Sequence, residues 1–362
     1  MTTSQNHDLG KLRRKPRQLS TILLFGGPLL WFAVVVAHTG AQAFVALAAV
    51  AFYLAVLVAV TGMTRTVPLR SLLSMFMFGT AAMIITSFLI KFFGGLGLAE
   101  GTFLRDFFVP LLEEAVKIAA VAVLLWKGRK FASRFYGVSD IILLAAASGA
   151  GFSAAEEAAL VGNSGAGQLL WWMPVVHVWP DAADAGHAIW TTIAGATLAF
   201  AVVMGFRKPW MKRLALCGVA WSFFDHFSHN YTAGHPAGGD FLGSVLNVAH
   251  GAGWLSIWLM MLLVAAAVFY DLQLLKTNMA PSSGIPAMPP AASNFEQVKD
   301  WWDLTLWHRR AGYIASQIKH TEGVECDRLS KFHALITRGL GQSKTPDATA
   351  TSAGDAPATT DA

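Results

Sequence analysis

Apolar residues run along this chain in blocks of about 20, the length a helix needs to cross roughly 30 Å of hydrocarbon at about 1.5 Å per residue. The blocks fill the first three quarters of the sequence: Leu19–His38, Ala41–Thr61, Leu72–Phe93, Phe107–Trp126, Ser139–Val161, His187–Phe206, Leu214–Tyr231 and Leu242–Tyr270. This pattern predicts an all-α, polytopic membrane helix bundle of about eight spans across residues 19–270, the last block long enough to tilt or overhang the bilayer. After Tyr270 the pattern changes. Residues 271–294 read as a linker, with Pro, Ser and Ala concentrated in Met279–Ser293. Residues 295–340 are helix-compatible, with Trp301, Trp302, Leu304, Leu306 and Trp307 close to Arg309, Arg310 and Lys319. Such a segment suits an amphipathic cytoplasmic helix on the inner membrane face, or a small helical hairpin packed on the cytoplasmic loops. The Thr/Ala/Asp/Pro composition of residues 341–362 predicts a disordered tail. No internal repeat is visible.

Composition supports the membrane reading: 54% of residues are hydrophobic and only 14% charged, with a mean hydropathy of +0.49. A soluble domain of this size does not need so little charge. The basic residues are placed unevenly. The tail of residues 1–18 carries Lys11, Arg13, Arg14, Lys15 and Arg17, and alternate connections carry Arg65 and Arg70, then Lys127, Arg129, Lys130 and Arg134, then Arg207, Lys208, Lys212 and Arg213. The opposite connections hold Arg105 alone, and from Gly162 to Gly186 only the acids Asp181 and Asp184. The positive-inside rule then puts both termini in the cytoplasm of a multi-pass plasma-membrane protein. These flanking residues account for the net charge of +5, which reads as topology and contact with anionic lipid at the cytoplasmic face rather than nucleic-acid binding. The first apolar block lacks a small-residue cleavage pattern, so no cleavable signal peptide is expected. Cys217 and Cys326 fall far apart, and no disulfide is expected between them.

Some of the apolar blocks contain residues that hydrocarbon excludes. The fourth holds Glu113, Glu114 and Lys117, and a charge near the bilayer centre costs at least about 2.5 kcal/mol on the lenient insertion scale. Lysine at i+4 and i+3 reaches either carboxylate on a helix. A structural ion pair would use one acid; a second suggests acid–base chemistry, because crowded carboxylates in low dielectric titrate apart. Phe152 and Glu156 share a face of the fifth span, with Glu157 turned about 100° away as an interfacial acid. His187 opens the sixth span, four residues before Thr191. The seventh ends in Asp225–Asn230, where His226 and Asn230 share a face and His229 lies nearer the surface. Asn247 and His250 in the eighth read as packing or helix–helix hydrogen bonds.

Direction along the chain brings these groups to one depth. Spans four and six run inward with Glu113 and His187 early in them, whereas spans five and seven run outward with Glu156 and His226 late. All four fall within roughly 10 Å of the outer surface. Scattered structural residues have no reason to share a layer; a water-accessible cavity open to the outer face explains it.

The ordered set Glu113-Glu114-x-x-Lys117, Phe152-x-x-x-Glu156, His187-x-x-x-Thr191 and His226-x-x-x-Asn230 resembles the PrsW intramembrane proteases over about Arg105–Tyr231. The resemblance implies an intramembrane endopeptidase, related to CAAX prenyl proteases and bacteriocin-processing enzymes, that cuts a single-span, membrane-anchored protein such as an anti-sigma factor near its extracytoplasmic end. Peptide hydrolysis needs an activated water, a stabilised oxyanion and a proton for the leaving amine. Glu113 or Glu114 is the candidate base, tuned by Lys117; His187 and His226 would bind or polarise the scissile carbonyl, and Asn230 would donate to the oxyanion or orient His226. Glu156 has two readings. With His187 and His226 it would complete a Zn²⁺ site with an open position for water; otherwise it orients a histidine in a metal-free glutamate mechanism. The competing functional classes are a proton-coupled transporter or channel, since Glu, His and Lys also build proton relays, and a non-catalytic scaffold derived from such a protease.

Overall fold

The computed structural model describes residues 40–95, 102–127, 136–160, 168–170, 173–178, 182–204, 209–234, 240–278 and 295–319, with single positions between 26 and 37 and between 326 and 337. The basic N-terminal tail, most of the first predicted span, most of the linker and residues 341–362 lie outside the described residues. The chain forms two compact units, Met1–Gln273 and Leu274–Ala362.

Helices α1 (Ala41–Val60), α2 (Leu69–Gly95), α3 (Phe103–Lys127), α4 (Val138–Leu160), α5 (Gly186–Val203), α6 (Pro209–Gly234), α7 (Phe241–Ala249) and α8 (Trp254–Asn278) follow in chain order. Among the described residues, five stretches are long and apolar enough to cross a membrane: α1, α2, α4, α5 and α8 with the turn before it. Helices α3 and α6, also read as spans from sequence, fall short of that measure, α3 because it carries three charged residues, Glu113, Glu114 and Lys117, within its apolar stretch, and α6 because its polar residues lower the average. Those residues, Glu113, Glu114 and Lys117 on α3 and Asp225 and His226 on α6, are buried inside the protein.

Helix α4 is the centre of the bundle. It packs against α1, α2, α3 and α5, and residues 138–155 are all buried. Small residues make that possible. A Cβ on Gly79 of α2 would sit 1.9 Å from the Ser148 carbonyl oxygen of α4, and one on Gly151 of α4 would sit 1.9 Å from the Phe76 carbonyl oxygen of α2. The two backbones therefore touch at a crossing only glycine permits, and Thr80 Oγ1 donates to the Gly151 carbonyl across it at 3.1 Å. Away from this core, α1 and α8 expose Phe44, Val45, Phe52, Trp258, Leu262 and Phe269, as helices facing lipid do.

The N-terminus of α4 is pinned by two carboxylates. Asp140 accepts the backbone N–H of Thr66 at 2.6 Å, of Val67 at 2.7 Å and of Gly137 at 3.0 Å, together with the Thr66 hydroxyl. Asp271 of α8 accepts the N–H of Val138 at 3.0 Å and of Ser139 at 2.8 Å, and the Ser139 hydroxyl as well. Orphan donors at a helix start are thus satisfied by side chains, fixing the depth of everything α4 carries.

Two features differ from the pattern read in the sequence. The connection between α4 and α5 holds an antiparallel sheet of three short strands, β1 (Gln168–Leu170), β2 (Met173–Val178) and β3 (Ala183–Asp184), in that spatial order, so an all-α chain carries a small β element. The last apolar block is not one helix. It breaks between α7 and α8 at Gly251, Ala252 and Gly253, whose φ values are +60°, +49° and +84°. A Cβ on Gly253 would lie 1.7 Å from the Ala183 carbonyl oxygen, so this left-handed turn is what lets the chain press against β3. Hydropathy is blind to both, since neither backbone handedness nor strand pairing changes the average. Helix α8 also continues past Tyr270 to Asn278.

In the second unit, α9 (Phe295–Ile318) buries Thr305, Leu306, His308, Arg309, Tyr313 and Ile314 and exposes Trp307, with the Arg310 guanidinium 4.7 Å from its ring centroid.

Candidate active site

Four helices bring the sequence-predicted residues together. Helix α3 supplies Glu113, Glu114 and Lys117, α4 supplies Phe152 and Glu156, α5 starts at the site with His187, and α6 supplies His226 and Asn230. His187 is placed by the sheet. Gly186, at φ +68°, turns the chain from β3 into α5 and donates its N–H to Asp184 Oδ1 at 2.9 Å.

Lys117, with no exposed surface, is the hub. Its Nζ lies 2.5 Å from Glu114 Oε1 and 2.6 Å from His187 Nδ1, and 4.7 Å from the Phe152 ring centroid. Glu114 is fully engaged: Oε1 also meets His226 Nδ1 at 3.0 Å, and Oε2 accepts the Ser222 hydroxyl at 2.8 Å. The two adjacent acids therefore differ in environment. Glu113 Oε2 faces the other nitrogens of the same imidazoles, 3.6 Å from His226 Nε2 and 4.0 Å from His187 Nε2. Glu156 Oε2 contacts His187 Nε2 directly, and with 23% of its side chain exposed it is the solvent-facing member. Asn230 Nδ2 lies 3.5 Å from His226 Nε2.

Each histidine thus turns Nδ1 toward α3 partners and Nε2 toward a common centre. One donor atom each from Glu113, His187 and His226, all buried, lie within 4.8 Å of one another. The model of the PrsW family intramembrane metalloproteases matches residues 67–268, more than half the chain and wider than the motif-bearing stretch. The chain belongs to the PrsW family. It is accordingly an intramembrane hydrolase, and no curated protein or solved structure matches it.

The metal implied by the PrsW description fits the donor chemistry here. Two imidazole nitrogens and one carboxylate oxygen are a set that Zn²⁺ accepts with a position left open, and engagement of the distal ring nitrogen is the usual support for a metal-ligating histidine. His226 meets this fully, since Nδ1–H donates to Glu114 and leaves the Nε2 lone pair toward the centre. His187 Nδ1 likewise has a partner on α3, Lys117 Nζ at 2.6 Å, while its Nε2 turns toward the centre. Among the described residues, the group close enough together to hold a metal differs from the sequence expectation in one member, with Glu113 in the position expected for Glu156.

The structure adds residues that the motif reading passed over. Ser222 lies one helical turn before His226 and reaches Glu114, and Trp190, three residues after His187, stacks on His226 with centroids 4.3 Å apart and planes at 16°. Both lie at helical spacing from a chosen histidine, and that spacing was the available signal. Thr191 is fully buried against Gly149. The rim is built from pairs contributed by the sheet: His177 Nε2 lies 3.5 Å from Glu157 Oε2 and His229 Nε2 lies 3.4 Å from Asp184 Oδ2, each group half-buried. His229 and Glu157 are therefore mouth residues, as their surface positions implied.

Proposed function

We propose that this PrsW protein hydrolyses a peptide bond near the extracytoplasmic end of a single-span, membrane-anchored protein, an anti-sigma factor or a similar regulator, from a multi-pass position of about eight spans in the plasma membrane with both termini cytoplasmic. Anionic lipid holds its basic cytoplasmic face. The observation that carries the reading is the convergence of Glu113 Oε2 with both Nε2 atoms, from three separate helices, while both Nδ1 atoms are engaged elsewhere.

Glu113, His187 and His226 would hold the metal, Zn²⁺ by its ligand set; when bound it supplies Lewis acidity for a carbonyl or a water. Glu156, on the solvent side of the cluster, accepts the proton of the attacking water and returns it to the leaving nitrogen. Asn230 donates to the carbonyl oxygen as negative charge develops there. Glu114 and Lys117 touch no substrate. They fix the two imidazoles, Glu114 through His226 Nδ1 and Lys117 through His187 Nδ1.

A proton relay, the competing reading, loses support from α4: between the carboxylate knot at Asp140 and the site, Ile141–Ala147 are all apolar. Cleavage decides between them. Purified protein reconstituted in liposomes with single-span substrates is expected to cut them near the extracytoplasmic end, with the site mapped by mass spectrometry. Proton flux without cleavage of any substrate would overturn the peptidase reading.

A further inference from the structure

Behind His226 lies a second buried polar group that the mechanism above does not use. Asp225 is 1% exposed, and although it precedes His226 its side chain leaves α6 about 100° away. Its Oδ2 accepts Trp190 Nε1 at 2.5 Å and the Ser256 hydroxyl at 2.6 Å. Trp221 Nε1 in turn donates to Ser256 at 2.8 Å. His250 Nδ1 lies 3.2 Å from Asp225 Oδ1, with no hydrogen bond made by either atom, or by His250 Nε2, among the described residues. His250 caps α7 at the left-handed turn, and Ser256 lies in the first turn of α8.

This cluster reaches the catalytic group through one ring. Trp190 lies flat on His226, and its single N–H points to Asp225, so Asp225 sets the plane of the indole and the indole sets the plane of the imidazole. The restraint is needed. Glu114 holds Nδ1 but leaves the ring free to rock about that hydrogen bond, and Asn230 at 3.5 Å is too distant to stop it. Hydrogen bonding at one nitrogen and stacking on one face together leave Nε2 a single direction, toward Glu113. Packing alone would not call for a carboxylate, because an apolar side chain of similar volume fills such a space without the desolvation a buried acid incurs.

We propose that Asp225, acting through Trp190 and held by the first turn of α8 through Ser256, is a positioning residue that aims His226 Nε2 at the metal centre. The proposal rests on the assignment of His226 to that centre. Its test reads metal binding apart from catalysis. Trp190→Phe keeps a ring against His226 but loses the N–H, Asp225→Leu removes the acceptor, and Asp225→Asn retains one. Zn²⁺ affinity of the metal-free protein, measured by chelator competition, is expected to fall about 10- to 100-fold in Trp190→Phe and Asp225→Leu and to recover in Asp225→Asn. The visible spectrum of the Co²⁺-loaded protein should change in the first two, and kcat should fall with KM within about twofold of wild type. Trp190→Phe with wild-type Zn²⁺ affinity and an unchanged Co²⁺ spectrum overturns the proposal; that variant decides the matter if Asp225→Leu does not fold. Wild-type protein that binds Zn²⁺ but cleaves nothing would count against the peptidase function, and the affinity series would still judge the positioning role.

Discussion

Glutamine at position 114 removes a charge while keeping nearly everything else. Glu114 receives Lys117 Nζ at 2.5 Å and His226 Nδ1 at 3.0 Å on Oε1, and the Ser222 hydroxyl at 2.8 Å on Oε2. With its oxygen on the Oε1 side, a glutamine still accepts from Lys117 and His226, and its amide faces a serine hydroxyl that can turn to accept. Lys117 is then a cation with no exposed surface that has lost its carboxylate partner and keeps only neutral ones, the amide oxygen and His187 Nδ1 at 2.6 Å. Breaking a buried pair from one side costs about 3 to 5 kcal/mol. The surviving hydrogen bonds place Glu114→Gln near the lower figure, about 3 kcal/mol. At about 2 to 4 °C per kcal/mol for a unit of this size, the apparent melting temperature in detergent should drop by about 6 to 12 °C in scanning fluorimetry. Glu113→Gln strands no such cation, because the nearest basic atoms are imidazole nitrogens at 3.6 and 4.0 Å; its melting temperature should stay within about 2 °C of wild type while cleavage is lost. Equal melting losses in the two variants, or wild-type cleavage by Glu113→Gln, would refute the division of roles between adjacent acids.

Lys117→Met should destabilise about as much as Glu114→Gln, and the double variant should regain part of the loss because neither buried charge is left alone; additive melting shifts would contradict this coupling. Gly151→Ala should lower the melting temperature by the equivalent of about 1 to 3 kcal/mol, since its Cβ meets the Phe76 carbonyl oxygen at 1.9 Å and backbone cannot yield locally; an unchanged value would mean that the α2–α4 crossing relaxes freely. A cysteine replacing the half-buried His177 at the rim, in a variant lacking Cys217 and Cys326, should react with an impermeant thiol reagent added outside intact cells. Labelling only from the cytoplasmic side would reverse the orientation.

Periodicity and depth were enough to find the site's principal residues. Glu113, Glu114, Lys117, Glu156, His187 and His226 were visible as polar residues where hydrocarbon excludes them, and the direction of each span through the membrane put Glu113, Glu156, His187 and His226 in one layer before any contact was known. Their division of labour was not visible. Helical spacing allows Lys117 to reach either acid, and only the positions of α5 and α6 show that Glu114 is taken up by Lys117, His226 and Ser222 while Glu113 faces the Nε2 atoms. The same limit hid the roles of Asp140, Asp225 and Asp271, whose hydrogen-bond partners, apart from Gly137 beside Asp140, lie 31 to 133 residues away in sequence. The sheet and the α7–α8 break escaped because a Gly-Ala-Gly turn and three short strands leave the hydropathy profile unchanged.

The most direct test is the metal content of purified protein, measured by mass spectrometry for wild type, Glu113→Gln, Glu156→Gln, His187→Ala and His226→Ala, with cleavage recorded on the same samples. The expected result is Zn²⁺ bound by wild type and by Glu156→Gln, the latter inactive with its metal in place, and metal lost together with activity in Glu113→Gln, His187→Ala and His226→Ala. Wild-type protein that cleaves its substrate at full rate with no metal bound would contradict the metal centre assigned to Glu113, His187 and His226.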